Sequence, residues 1–197
     1  MPSPRDAAKT TASGIPGIGP VQANLHMSHF YMKREDLVDA MIPFLKAGLE
    51  NGERCLWITT DPLRADDAAA ELAKAVPGLD AMLREERILI IDAEGWYSQL
   101  QGDFAKAMLS RMLKEVDRAQ ADGYRALRLA GNTNYFANKS WAAFMQFEEA
   151  LHVASESRPI ISLCSYSLPH IKPTDVFQAV RVHHHTLDRR DRSWELI

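Results

Sequence analysis

Glycine is missing where a nucleotide-binding chain would need it most. A phosphate-gripping loop places G-x-x-x-x-G-K-[ST] between a strand and the helix that follows it. Before the first amphipathic helix this chain reads HMSHFYMKRED, residues 26–36, with no glycine. Phe30 and Tyr31 are too bulky for the backbone to close on a phosphate, and Lys33 and Arg34 are followed by the acids Glu35 and Asp36. GxGxxG is absent from every strand–helix junction. ATP or GTP held in the usual way is therefore not expected. Nor does any apolar run approach the roughly 20 residues needed to span a bilayer, and the N-terminus lacks an apolar signal core. Basic excess is lacking too. The formal charge is −3, whereas domains that bind nucleic acid by neutralising phosphates are strongly basic. Cysteine is scarce: Cys55 and Cys164 sit in the apolar runs CLWIT and ISLCSY. They read as buried, reduced thiols, as suits a cytoplasmic protein. The expectations are no membrane, no direct nucleic acid, no cofactor and no metal.

What is present is an alternation. Residues 1–22, rich in Pro, Gly, Ser, Thr and Ala, read as a mobile or loosely docked tail. Residues 23–197 read as a single α/β domain. Residues 34–52 carry Leu37, Ala40, Met41, Phe44, Leu45 and Leu49 at helical spacing, closed by Asn51-Gly52. Pro43 predicts a kink in this helix or a later start. Strands follow at 54–60, 87–93, 124–131 and 158–167. Helices are expected at 63–76, 79–86, 104–123 and 139–157. Residues 173–187 read as a helix or a helix-to-strand passage, and 192–197 as an edge strand. Apolar strands alternating with helices imply parallel βαβ units with helices on both faces of one sheet, a three-layer sandwich.

Ligands of such sheets bind beyond the carboxyl ends of the strands. Those ends carry Thr59 to Asp61, Asp92 to Tyr97, Gly131 to Phe136 and Ser165 to Ser167, a rim of aromatics, hydroxyls and a few carboxylates. Apolar walls with sparse polar groups describe a small-molecule pocket, although each aromatic is equally consistent with a cap on the sheet. Three further constellations have competing readings. His183, His184 and His185 cannot all reach one ion from a helix or strand, so they read as a solvated or subunit-contact cluster, while His26 and His29 sit nearer the pocket mouth. Cys164 and Ser165 stand at a strand end, but no G-x-S-x-G elbow surrounds Ser165. Arg128, inside a strand, needs a partner. Glu94, Asp92 or Glu148 could satisfy it, or it could anchor a ligand carboxylate or phosphate.

HxxHFY before the first helix, AGLENGERCLWITTDP, WY after the second strand, GYRALRLAGNTNYF and PIISLCSYSL together resemble the MEDS family, the methanogen/methylotroph and dichloromethane-repressor sensory domain, over about Asn24 to His185. The resemblance implies a RecA/KaiC-like fold, a P-loop derivative that lacks the Walker A loop. It also implies a sensor of small, hydrocarbon-like or C1-type molecules that signals to a histidine kinase or a transcription regulator. The pocket residues it implies are His26, His29, Tyr31, Trp57, Thr59, Trp96, Tyr97, Arg128, Asn132, Tyr135 and Tyr166. Some members carry an acid near Asn132, where this chain has an amide. Many are fused to an output domain, whereas this chain ends at Ile197, so action on a separate protein is expected, and a homodimer is compatible. The expected function is sensing without catalysis. The alternatives are a ligand-independent partner switch with a vestigial pocket, and a cryptic hydrolase or metalloenzyme.

Overall fold

The computed structural model describes residues 10–137, 140–190 and 193–197. A short antiparallel hairpin comes first, β1 (Thr10–Ala12) with β2 (Pro20–Gln22). The main sheet has seven strands: β3 (His26–Tyr31), β4 (Arg54–Thr59), β5 (Ile88–Asp92), β6 (Leu127–Asn132), β7 (Ile160–Ser167), β8 (His185–Arg190) and β9 (Ser193–Leu196). Their spatial order is β5-β4-β6-β7-β3-β8-β9. Every neighbouring pair is parallel except β8 with β9, so the sheet is parallel with one antiparallel edge strand.

Among the described residues eight α-helices connect the strands, with a 3-10 turn at Leu168–His170: α1 (Arg34–Glu50), α2 (Ala65–Ala75), α3 (Leu79–Arg84), α4 (Ala93–Tyr97), α5 (Phe104–Ala121), α6 (Asn134–Ala137), α7 (Trp141–Ser155) and α8 (Pro173–Arg181). Lys139, the expected first residue of the α7 segment, lies outside the described residues, as do the tail residues 1–9 and Arg192.

Successive strand residues point to opposite faces, and here both faces are dry. Cys55 and Trp57 of β4, Ala130 of β6 and Leu163 of β7 pack with Leu37, Met41 and Phe44 of α1 and Leu72 of α2. Leu56 and Ile58, Leu129, and Cys164 with Tyr166 pack on the other face with Met108 and Met112 of α5 and Phe144 and Phe147 of α7. The sandwich is therefore three-layered, as its continuous apolar strands require.

Four expectations change. Residues 26–31 form an inner strand rather than only a pre-helical rim: β3 pairs with β7 on one side and β8 on the other. Its polar His26, Ser28 and His29 obscured the apolar signal. α1 starts at Arg34 and continues through Pro43 rather than starting later; the carbonyl freed by the missing N–H belongs to Asp39, on the exposed side of the helix. Residues 93–97, expected only as strand-end rim, form α4.

The fourth change concerns residues 10–22, which are docked rather than loose. Arg128, wholly buried, donates through Nε to Glu53, through Nη1 to the carbonyls of Ser13 (3.1 Å) and Phe44 (2.9 Å), and through Nη2 to Ala12 O (2.9 Å) and Thr11 Oγ1 (3.4 Å). Thr11 Oγ1 in turn donates to Glu53 at 2.5 Å. All five guanidinium N–H groups are thus matched, three of them by the hairpin segment. Two glycines make the room. A Cβ on Gly48 would stand 2.5 Å from Arg128 Cδ, and one on Gly14, whose φ is +80°, would lie 2.0 Å from the Pro43 carbonyl oxygen. The partner is Glu53, not the Glu94, Asp92 or Glu148 that the strand position suggested.

Removing one member of a buried pair strands the other charge. Glu53→Ala should cost about 3–5 kcal/mol, read by urea denaturation, and should open residues 10–22 to proteolysis before the sheet unfolds.

Candidate functional site

The carboxyl ends of β3, β4, β6 and β7 converge on an open crevice. One lobe, about 370 Å³, is lined by Tyr31, Lys33, Arg34, Pro62, Ser167 and His170 among others. A second lobe, about 260 Å³, lies over β4 and β5 and is lined by Thr59, Arg64, Asp92, Glu94 and Tyr135. Thr60, Asp61 and Asn134 line both lobes, so the turn after β4 is the wall between them. The crevice sits where the connectivity divides: from β3 the chain crosses to β4 on one side, and β8 returns on the other. That is where α/β sheets hold ligands.

The start of α1 faces this crevice, and its anion seat is taken. Asp36 Oδ2 accepts from Met32 N (3.1 Å) and Lys33 N (3.2 Å). Free backbone N–H groups at a helix start, aided by the helix dipole, are what hold a phosphate in nucleotide-binding relatives of such folds. Here the chain's own carboxylate occupies the two amides that lead into the helix, Met32 N and Lys33 N, so a negative charge already stands at that end. The missing glycine and the acid three residues into the helix are two halves of one arrangement.

Asn132 and Asn134 position the dividing wall. Asn132 Oδ1 accepts from Thr60 N (3.0 Å), and its Nδ2 donates to Thr60 O (2.7 Å) and Asp61 O (3.1 Å). Asn134 Nδ2 adds a bond to Asp61 O (2.9 Å). An acid at 132 would lack the two donated bonds, which explains why an amide serves in this chain. Asp92 is similarly engaged: it accepts from Ala65 N (3.1 Å) and Arg64 Nη2 (3.1 Å), closing the start of α2.

Tyr31 is the buried polar group that the crevice wall leaves incomplete. Burial raises its pKa against the favourable nearness of Asn132, Ser167 and Asn134, yet no bond of good geometry reaches its hydroxyl.

Of the residues expected at a pocket, Tyr31, Thr59 and Tyr135 line the crevice. Asn132 braces its wall and, with Tyr97, borders a separate void of about 30 Å³, room for one water. The others lie elsewhere. Trp57 is in the core against α1, and Tyr166 is buried on the opposite face. Trp96 is sealed beneath the Arg111 guanidinium, 3.7 Å from its ring centroid. Arg128 occupies the hairpin node. His29 is buried against Ser165, with its Nδ1 2.9 Å from the Ser165 hydroxyl. Ser165 does alternate away from Cys164, but onto a face that is also dry, so neither is presented as a nucleophile. Lys33, Arg34, Arg64 and His170 were missed as lining residues. By composition they are ordinary polar surface residues, and only the topology brings them to one place.

The histidine run divides. His184 and His185 are exposed, whereas His183 turns inward and is 7% exposed. It meets His26, Glu148 and Cys164, and the ligating atoms of the four all lie within 4.8 Å of one another. Burial, then the neighbouring histidines His152 and His184, hold the His26 pKa down to about 3. Burial and His26 do the same for His183. Burial pushes the Glu148 carboxyl and the Cys164 thiol up.

These features define a three-layer α/β domain with an open crevice at its strand ends, beside a helix whose leading amides are taken by the chain's own carboxylate. The chain belongs to the MEDS family, the methanogen/methylotroph, DcmR sensory domain, whose model matches residues 25–184. It is 22% identical over 187 residues to the transcriptional repressor DcmR of Methylorubrum extorquens, covering 93% of this chain and 66% of the repressor. The fold is similar to a crystal structure of a KaiC-like protein from Pyrococcus horikoshii OT3, with a TM-score of 0.63 at 17% identity, over 95% of this chain and 84% of the other. Among the described residues no helix is long and apolar enough to cross a membrane.

Two outcomes follow. Asn132→Ala leaves Thr60 N unpaired and takes one of two donors from each of the Thr60 and Asp61 carbonyls; it should cost about 1–3 kcal/mol, seen as a lower Tm and faster amide exchange at Thr60. The second concerns His29. Burial lowers its pKa from 6.5 to about 4, so it is neutral in the fold but takes a proton on unfolding below pH 6.5. Its contribution is intact above pH 6.5 and is lost as the pH falls toward 4. The loss is on the order of 3 kcal/mol, and His29→Gln should flatten the stability–pH curve across that window.

Proposed function

We propose that this domain is a sensor that binds a small molecule in the crevice at the strand ends, without turning it over, and passes the bound state to a partner. The family is a sensory one and its relative DcmR is a transcriptional repressor, which supports a regulatory role. The observation that carries the ligand reading is the pairing of an open lobe of about 370 Å³ with a carboxylate, Asp36, that already occupies the amides leading into α1. The lobe joins apolar surface from Tyr31, Met32 and Pro62 to polar groups of Asn134, Ser167 and His170. Lys33, Arg34 and Asp61 also line it, so its ligand is a small body that joins apolar surface to a polar or anionic group, of the short alcohol, halocarbon, aldehyde or organic acid kind. The recipient of the signal is a kinase or a transcription regulator.

So small a ligand buries little area and binds modestly. At ten times its Kd it stabilises the fold by about 1.4 kcal/mol, which raises Tm by about 3–6 °C for a chain of this size. A thermal-shift series over those four compound classes should find such a ligand. His170→Trp, an exposed change that fills the lobe, should abolish its shift while preserving the fold. Equal shifts in the wild type and His170→Trp would place the ligand elsewhere. No shift with any class would favour the ligand-independent partner switch.

A further inference from the structure

We infer that His26, His183, Cys164 and Glu148 form a binding site for a divalent zinc-type ion inside the fold, separate from the crevice. The argument begins with edge lengths. An ion about 2.0–2.1 Å from nitrogen and oxygen and about 2.3 Å from sulfur has tetrahedral edges of about 3.4 Å between N and O, and about 3.6 Å between S and either. Glu148 Oε2 lies 3.0 Å from His26 Nε2 and 3.6 Å from His183 Nε2. Cys164 Sγ lies 3.5 Å from both His26 Nε2 and Glu148 Oε2. These four of the six donor–donor distances are already within about 0.4 Å of tetrahedral edges, and all six lie within 4.8 Å.

Ligand orientation is the second argument. The Nδ1–H of His183 donates to the Ala179 carbonyl at 2.6 Å. This bond fixes the tautomer that leaves Nε2 with a bare lone pair, and Nε2 has no hydrogen-bond partner. A backbone carbonyl holding the far nitrogen of a histidine is the usual outer support of a metal ligand. The bare nitrogen is buried and aimed at Glu148.

Charge is the third. Glu148 is 1% exposed, and no arginine or lysine pairs with it among the described residues. Without an ion, one carboxyl proton can satisfy only one of the two imidazoles. With a dication, Cys164 releases its thiol proton and Glu148 its carboxyl proton. The ion then takes one thiolate pair, one carboxylate pair and two neutral imidazole pairs. The +2 of the ion cancels the two anionic ligands, so the buried site is neutral overall, as a dry interior requires. Tetrahedral N₂SO donors suit zinc among common ions.

The ligands come from β3, α7, β7 and the turn after α8, so one ion would tie four separate segments. Four protein donors leave no open position, the arrangement of a structural rather than a catalytic ion. A route for loading is visible: the His152 ring lies 5.9 Å from His26 and 4.3 Å from the exposed His184.

The test uses the full untagged chain, zinc-loaded, desalted and then measured by atomic emission, with cobalt substitution in parallel. Expected are close to one zinc per chain and, for cobalt, intense tetrahedral d–d bands with a thiolate-to-metal charge-transfer band. Cys164→Ser should remove that band, and Cys55→Ser should leave it. Glu148→Gln and His183→Ala should lower occupancy. Should Cys164→Ser fail to fold, the wild-type cobalt spectrum decides, since only a sulfur ligand produces the charge-transfer band. A wild-type chain that stays metal-free after loading overturns the inference. So does cobalt bound without a thiolate band, the result expected of ions held on exposed His184 and His185, or a band lost in Cys55→Ser. None of these readouts involves the crevice ligand, so the outcome is independent of the sensory reading.

Discussion

The carboxylate of Asp36 at the head of α1 is the interaction on which the character of this domain turns. A helix of 17 residues starts with backbone N–H groups that lack internal partners and with a partial positive charge. Something anionic must answer them, and where a bound phosphate does so the fold becomes a nucleotide site. Here Asp36 answers the amides of Met32 and Lys33 from within the chain. A side-chain cap of this kind is worth only about 1 kcal/mol. Its larger effect is electrostatic exclusion: an incoming phosphate would meet a fixed negative charge where a nucleotide-binding loop offers N–H donors. The crevice at the strand ends therefore has a carboxylate, Asp36, on the two amides that lead into α1.

Two buried polar centres lie away from that crevice, and comparing them decides which one is complete. At Arg128 every donor has an acceptor, and the carboxylate of Glu53 has both the guanidinium and the Thr11 hydroxyl. Such a centre fixes geometry, here the docking of the hairpin and the seat of α1 against β6, and asks for nothing more. At Glu148 the count fails. Two imidazoles, a thiol and a carboxyl share too few protons to satisfy one another, and His183 Nε2 is left over. Buried groups in a folded chain are nearly always matched; here His26 Nδ1 and His183 Nε2 both lack a hydrogen-bond partner, and it is the convergence of four donor atoms, not the unmatched atoms alone, that sets this centre apart from Arg128.

Much of the architecture was legible because its signals are local. The apolar runs of β4 to β7 and the 3.6-residue spacing of α1 and α5 need no knowledge of neighbours. β3 escaped because its burial is achieved with polar residues that find partners only in the fold: His26 with Glu148, Ser28 with Thr186, His29 with Ser165. The site was legible as a rim and not as a set of side chains. Strand order says which segment ends meet, which is why Thr59, Tyr31 and Tyr135 could be named. It does not say which face a tryptophan takes, so Trp57 and Trp96 were assigned to a pocket although both are core. The cluster at Glu148 was the hardest to read, since His26 and Glu148 are 122 residues apart and Cys164 and His26 are 138 apart. Adjacent histidines drew attention to a shared ion along the run, whereas only the first of the three turns inward.

On the proposed sensory reading, the wall that bounds the crevice is where a bound ligand would act. Thr60 and Asp61 separate the two lobes and are held by amides from the neighbouring strand end, Asn132 and Asn134, not by the turn's own backbone alone. A ligand that presses on this turn from the lobe beside Tyr31 must either leave those bonds intact, and then changes nothing beyond its own contacts, or shift the wall into the lobe over Asp92. Asp92 caps α2 through Ala65 N and pairs with Arg64, so displacement in that direction bears on a surface helix. A ligand alters such an equilibrium only by the difference in its affinity for the two arrangements. The wall is suited to the task because its hydrogen bonds are few, directional and exposed at one edge, whereas the β4 residues beneath it, Trp57 and Ile58, are locked in opposite cores.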